Sequence, residues 1–143
     1  MIRAFQESDL NTVADIWLET NIQTHHFIPA QYWQEHFELV KTMFLQAEIY
    51  VYEGAATHQI QGFLGMQDKY VAGIFVRRET QSHGIGKQLL DFAKSIKPEL
   101  ELHVYQKNER AVQFYQRAAF QMCCEEIDED TQEVEYRMEW KAD

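Results

Sequence analysis

The segment from Tyr70 to Ile96 constrains the fold of this chain more than any other. Tyr70-Val71-Ala72-Gly73-Ile74-Phe75-Val76 is an apolar run, which predicts a central strand covered on both faces. A polar loop, Arg77 to His83, leads into Gly84-Ile85-Gly86. Leu89, Leu90, Phe92, Ala93 and Ile96 then mark a helix that Pro98 cannot continue. Glycines at 84 and 86 remove side chains where backbone N–H groups must reach a ligand closely. The helix behind them presents unpaired N–H groups and a positive dipole end, so the turn suits an anion, with Lys87 as an extra charge. An ordinary strand-to-helix turn that needs glycine for its backbone angles has the same spacing. The segment lacks the upstream glycine and the Ser/Thr after lysine of a Walker A loop, and the third glycine of a dinucleotide fingerprint.

The flanking sequence supplies the other layers. Ile2 to Phe5 reads as a short strand, and Leu10, Val13, Ile16 and Trp17 recur at helical spacing until about Asn21 to Thr24. A second helix starts near Pro29, with Tyr32, Trp33, Phe37, Val40, Met43 and Phe44 as its apolar stripe. Ile49 to Tyr52 and Ile60 to Met66 form a predicted hairpin, and Leu100 to Val104 alternates as a strand. Asn108 opens a last helix with Ala111, Val112, Phe114 and Tyr115 inward. Phe120 to Ile127 and Glu133 to Trp140 close the chain around the acidic turn Asp128-Glu129-Asp130. The order is strand, two helices, three strands, helix, strand, helix, two strands: an α/β (α+β) chain with a mixed sheet and helices on its faces.

Composition excludes several classes. The length of 143 residues fits one domain spanning 1–143, and 45% hydrophobic residues are enough for a core. No run approaches the roughly 18 apolar residues of a membrane span, and Met1 to Phe5 lacks the apolar run of a signal peptide, so a cytoplasmic protein is expected. The net charge of −10, with no Lys/Arg cluster evident along the chain, argues against nucleic acid and suits a cationic acceptor. Cys123 and Cys124 match no metal spacing and read as small apolar fillers on a strand. The six histidines show no ligand spacing, so no metal is expected.

Gln81-Ser82-His83-Gly84-Ile85-Gly86 resembles the Gln/Arg-x-x-Gly-x-Gly/Ala acyl-CoA signature of the GNAT superfamily of N-acyltransferases. Ile74-Phe75-Val76 resembles the strand before that loop, Leu89-Leu90 the helix after it, and Leu102 to Tyr105 the next strand. Asn108-x-x-Ala111-x-x-Phe114-Tyr115, ending at Phe120, is similar to the family's second block. The resemblance implies a mostly antiparallel seven-stranded sheet with helices on both faces and a splayed central parallel strand pair. It further implies transfer of an acetyl group from acetyl-CoA, the cosubstrate, to a primary amine: a protein lysine, a protein N-terminus or a small amine. The amine would attack the thioester directly in a ternary complex; a monomer or a homodimer is expected, with neither membrane nor metal as a partner.

The family's residue roles carry over position by position. The backbone of Ile74, Phe75 and Val76 would pair with pantetheine as a further strand, and one N–H there would stabilise the oxyanion. Gln81, Ser82, His83, Gly84, Ile85, Gly86 and Lys87 would form the pyrophosphate loop. Asn108 would bond the pantetheine arm or acetyl region, although it is also a good N-cap. Tyr115 would protonate the departing thiolate, although a core tyrosine on that apolar face is ordinary. Trp17, His26-Phe27-Ile28 and Tyr32-Trp33 resemble a branch of small bacterial members, some acting on protein lysines, and place His26, Phe27 and Tyr32 at the acceptor pocket. Many members carry a glutamate on the central strand where this chain has Tyr70, Val71 and Ala72. Asp68, His25 and His26 are the nearby candidates for a base, and none is assigned. A family-like domain that binds acyl-CoA without turnover is the alternative function. Ala119 stands where the family has glycine, at a helix end that favours left-handed backbone.

Overall fold

A computed structural model describes residues 1–143. Its elements are β1 (Ile2–Ala4), α1 (Leu10–Thr24), α2 (Ala30–Phe44), β2 (Glu48–Glu53), β3 (Ile60–Gln67), β4 (Tyr70–Val76), α3 (Ile85–Ile96), β5 (Glu99–Tyr105), α4 (Glu109–Arg117), β6 (Gln121–Ile127) and β7 (Val134–Lys141). Single turns of 3-10 helix at Glu7–Asp9 and Arg78–Thr80 complete them. The strands form one mixed sheet in the order β1-β2-β3-β4-β5-β7-β6. Every neighbouring pair is antiparallel except β4 and β5. No helix is long and apolar enough to cross a membrane.

The parallel pair is joined at one end only. Tyr70 opposes Glu101, and the Glu101 N–H donates to the Lys69 carbonyl at 3.0 Å. Beyond that point β4 and β5 diverge without further pairing, while β5 stays in full register with β7 from Glu99 to Tyr105. The sheet is thus split into β1–β4 and β5–β7–β6, and the split exposes one backbone edge of β4.

Helices cover the two faces with separate cores. On one face Val13, Ile16 and Trp17 of α1 and Trp33 of α2 pack on Ile49, Val51 and Phe63. On the other, Leu89, Leu90 and Ala93 of α3 pack on Leu64, Val71, Leu100, Leu102 and Met138. Each such side chain, fully buried, contributes about 1.5–3 kcal/mol relative to exposure.

Two sequence expectations change here. The β4 run is not covered on both faces: Val71 is buried, Ala72 is exposed, and Gly73 to Val76 are half-buried. Val71 joins the α3-side core and Phe75 packs on the α1 side, while Ile74 and Val76 border the open split. Cys123 and Cys124 are not core fillers either, because β6 is the outermost strand and leaves Cys123 exposed and Cys124 only partly covered.

The end of α4 fixes the position of Tyr115. The Phe120 N–H donates to the Tyr115 carbonyl and the Ala119 N–H to the Gln116 carbonyl, both at 3.0 Å. That is a Schellman motif, and its hydrophobic contact is the Tyr115 ring against Phe120, with centroids 5.5 Å apart. The motif requires a left-handed residue, and Ala119 fills it at φ 72°, at a cost of about 1 kcal/mol relative to glycine.

Candidate active site

The split between β4 and β5 opens into a cleft of about 840 Å³. Its walls come from the C-terminal half of β4, the loop and first turn of α3, α4 along its length, and the last turn of α1. Of the residues singled out by sequence, Ile74, Val76, Gln81, Ser82, Gly84, Ile85, Gly86, Lys87, Asn108 and Tyr115 line this space. They share this space because β4 and β5, paired only at Tyr70 and Glu101, part beyond that point.

Gly84 adopts φ +78°, a left-handed conformation that turns the chain from the loop into α3. No side chain caps that helix, and its first internal bond is Gln88 N–H to the Gly84 carbonyl at 3.0 Å. The preceding N–H groups and the dipole therefore face the cleft unneutralised. Arg78, Lys87, Lys107, Arg110 and Arg117 also line it. Arg110 donates to Gln81 Oε1 at 3.3 Å and to Ser82 Oγ at 3.2 Å, tying the loop to α4. This is a local basic cluster inside a chain of net charge −10, and the expectation that no such cluster exists is corrected. Its members are spread from 78 to 117, so no sequence window contains them.

Phe75 and His83 lie outside the lining. The Phe75 ring turns to the α1 face and stacks on Phe63 at 4.8 Å, and its carbonyl lies toward β3, 2.7 Å from where a Cβ on Gly62 would stand. Alternation along the strand leaves Ile74 and Val76 to the cleft and Phe75 to the opposite face. The Val76 carbonyl already accepts from Gln81 Nε2 at 3.1 Å. His83 is exposed on the loop.

Tyr115 is buried, and burial followed by the nearby Tyr70 phenol pushes its hydroxyl well above the ordinary tyrosine value. It is therefore protonated at neutral pH. Asn108 serves the fold as the N-cap of α4, its Oδ1 accepting from the Ala111 N–H at 3.3 Å. Its Nδ2 lies 3.3 Å from His25 Nε2, and His25 Nδ1 lies 3.0 Å from Asn21 Oδ1. The Asn21 amide in turn donates to the Trp17 carbonyl at 2.9 Å. Since Asn21 Oδ1 can only accept, His25 carries its proton on Nδ1 and receives the Asn108 amide on Nε2. The chain of bonds ties α1 to the cap of α4.

His25 is consequently no free base. Burial, then the neighbouring His26, lowers its imidazole to about 4. The native state disfavours the charged ring, so the contribution to stability is complete above the unfolded value of about 6.5 and is lost as pH falls towards 4. The full shift is worth roughly 3 kcal/mol, which partial exposure of the ring reduces to about 2 kcal/mol. Urea unfolding near neutral pH and near pH 4 should show that loss in the parent and not in His25→Asn. Equal losses in both would assign the acid sensitivity elsewhere.

The remaining acceptor-side residues lie beyond the cleft lining. His26 is exposed with its ring 5.8 Å from Phe27, and Phe27 meets Tyr105 at 5.7 Å. Burial, then the charges of Asp128, Asp130 and Glu135, raises the Tyr32 hydroxyl above its ordinary value. Tyr105 donates to Asp128 Oδ2 at 2.7 Å across the same gap. Asp68 sits in the exposed β3–β4 turn at φ 54°.

Comparison with known proteins gives this geometry its family. Residues 14–141 match the family model described as an acetyltransferase (GNAT) domain. Peptidyl-lysine N-acetyltransferase YiaC of Escherichia coli K12 is 34% identical over 142 residues, covering 98% of this chain and 96% of the relative. The solution structure of apo YjaB from Escherichia coli superposes with a TM-score of 0.87 at 24% identity, covering 100% of this chain and 98% of that one. The structure of yncA from Salmonella typhimurium with its cofactor acetyl-CoA has a TM-score of 0.68 at 15% identity, over 100% and 94% of the two chains. A split β4–β5 pair, an uncapped glycine turn and a nearly full-length family match lead to one conclusion: this chain belongs to the GNAT family of acetyltransferases.

Proposed function

We propose that this protein transfers the acetyl group of acetyl-CoA to the side-chain amine of a lysine in a peptide or protein. The observation that carries the reading is the free edge of β4, which runs from Tyr70 towards the uncapped N-terminus of α3 with Tyr115 on the same cleft. Ile74 supplies backbone groups for the pantetheine amides, as an added strand would use them. The diphosphate meets the N–H groups at Gly84 to Lys87, with Arg78 and Arg110 beside them. The donor's fit is thus one of backbone donors and cations to an extended, anionic thioester.

The amine nitrogen attacks the thioester carbonyl carbon, a C–N bond forms, and the C–S bond breaks. A β4 N–H meets the developing oxyanion, Tyr115 gives its proton to the leaving thiolate, and the second proton that the nitrogen sheds as the amide forms returns to Tyr115. No protein nucleophile takes part, so initial-velocity lines intersect rather than run parallel. The acceptor is cationic before it reacts, which agrees with the negative charges of Asp128, Asp130 and Glu135 that raise the Tyr32 hydroxyl. The names of YiaC and YjaB as peptidyl-lysine N-acetyltransferases favour lysine among amines.

The test is thiol release from acetyl-CoA with a terminally blocked peptide containing one lysine. Release well above the amine-free blank, with the acetyl group on that lysine by mass spectrometry, is the expected outcome. Tight acetyl-CoA binding with release at the blank level would turn the protein into an acyl-CoA-binding module.

A further inference from the structure

The proposed reaction leaves one proton without a destination. A lysine ammonium, with an ordinary pKa of about 10.4, must lose a proton before its nitrogen can attack. His25 is engaged on both ring nitrogens, His26 is exposed beside Phe27, and Asp68 sits in an exposed turn.

A different histidine lies at the apex of the split. His103 of β5 projects from the face that also carries Glu126 of β6 and Glu135 of β7, and one polar atom of each lies within 4.8 Å of the others. Its Nε2 is 2.8 Å from Glu126 Oε2, and its Nδ1 is 2.9 Å from the hydroxyl of Tyr70. Tyr70 is the last residue of β4 still paired with β5, so its ring spans the point where the strands part.

The hydrogen-bond directions follow from the chemistry of the partners. An ionised carboxylate only accepts, so Nε2 carries the imidazole proton and donates it to Glu126. Nδ1 is then the bare nitrogen, and the Tyr70 O–H donates to it. Contact with His103 holds the Glu126 carboxyl below its usual range, which agrees with that direction. Burial pushes the Tyr70 hydroxyl up to about 12, so the phenol is a proton carrier rather than a standing phenolate.

We infer that Tyr70 and His103 form the proton exit of the acetyl transfer, with Tyr70 meeting the acceptor amine and His103 receiving the proton behind it. The inference rests on the proposed function. In the step, an ammonium proton passes to the Tyr70 oxygen while the tyrosine's own proton passes to His103 Nδ1. A neutral amine and an imidazolium result, and Tyr70 is unchanged. Glu126, bonded to Nε2, stabilises the imidazolium, and Glu135 adds a second acidic neighbour. Arg137, opposite His103 on β7, works against the positive charge, but its guanidinium is tied to Glu101 at 3.0 Å and Glu139 at 3.1 Å. Cys124 of β6, opposite Arg137, donates to Glu126 Oε1 at 3.5 Å, Tyr105 lies two residues along β5, and Asp128 acts on Glu135. After turnover the proton leaves through the exposed Glu126 edge.

Tyr70→Phe and His103→Gln are the tests, with the blocked single-lysine peptide as acceptor. Both should lower kcat about 100-fold at neutral pH, the low end of general-base contributions, with acetyl-CoA affinity retained. The deficit should shrink steadily as pH rises towards about 10, where the lysine is deprotonated by solvent. A purely structural role would give a deficit independent of pH. Imidazole nitrogen NMR on the parent supplies a readout that needs no turnover: neutral His103 should be the Nε2–H tautomer. An Nδ1–H tautomer, or variants with parental kcat and pH profile, would overturn the inference while leaving acetyl transfer standing. A parent with no transfer to any amine would remove the reaction itself.

Discussion

Replacing Tyr115 by phenylalanine lowers kcat by about 100-fold or more, within the range of a lost general acid, and leaves acetyl-CoA affinity nearly unchanged. The substitution removes one hydroxyl from a ring that is otherwise held by packing. Tyr115 lies 5.2 Å from Phe114 and 5.5 Å from Phe120, and the Schellman bonds at the end of α4 use its backbone carbonyl, not its hydroxyl. Phenylalanine keeps all of these contacts, so the fold and the cleft should persist. What disappears is a phenol that burial keeps protonated, at a position lining the cleft. The thiolate must then depart unprotonated or take its proton from water. Unlike Tyr70→Phe, this defect should not be rescued at high pH, because a free amine does not help the sulfur leave. Single-turnover rates and calorimetric affinity separate the two effects. Parental turnover in Tyr115→Phe would show that the sulfur is protonated from elsewhere.

Gly86→Trp should weaken acetyl-CoA binding by at least about 100-fold, roughly 2.7 kcal/mol. Gly86 is in the first turn of α3, and a Cβ built there would meet Phe114 at 3.7 Å and Val76 at 3.9 Å. Those are ordinary contacts, so Gly86→Ala should bind nearly as the parent does. An indole has no room between Phe114 and Val76 and must project into the cleft, over the N–H groups that are to meet the diphosphate. Gly84→Trp is a less clean probe, because φ +78° strains any side chain there before a ligand arrives. The measurement is equilibrium binding beside a thermal midpoint for each variant. Undiminished affinity in a folded Gly86→Trp protein would move the diphosphate away from this turn.

Several elements were legible in the chain because their causes are local. The β4 boundaries, Tyr70–Val76, follow from an unbroken apolar run, and α3 from its glycine turn, its stripe and Pro98. Asn108 as an N-cap is a rule of helix ends that needs no tertiary information, whereas the left-handed backbone at Ala119 was legible only through the glycine that the resembling family carries there. Less legible was which side of β4 each residue serves. Alternation implies that Phe75 opposes Ile74 and Val76, but only the packing of α1 shows that Phe75 belongs to the core. The exposure of the cysteines is hidden for a similar reason: a strand's place at the sheet edge is set by the β5-β7-β6 crossover, not by its own residues.

The order of the elements, the glycine turn and the helix carrying Tyr115 were all written along the chain, since each depends on periodicity or backbone preference within a dozen residues. Whatever depends on distant parts meeting was left to the folded molecule. Folding gathered cations from 78 to 117 around one turn, and it bonded Asn108 to His25 across 83 residues. It also set Tyr70 against His103, 33 residues away, with Glu126 behind. The cause is the split of the sheet: β4 and β5 share one paired position and then part, and where they part is a property of both strands' partners rather than of either strand's letters.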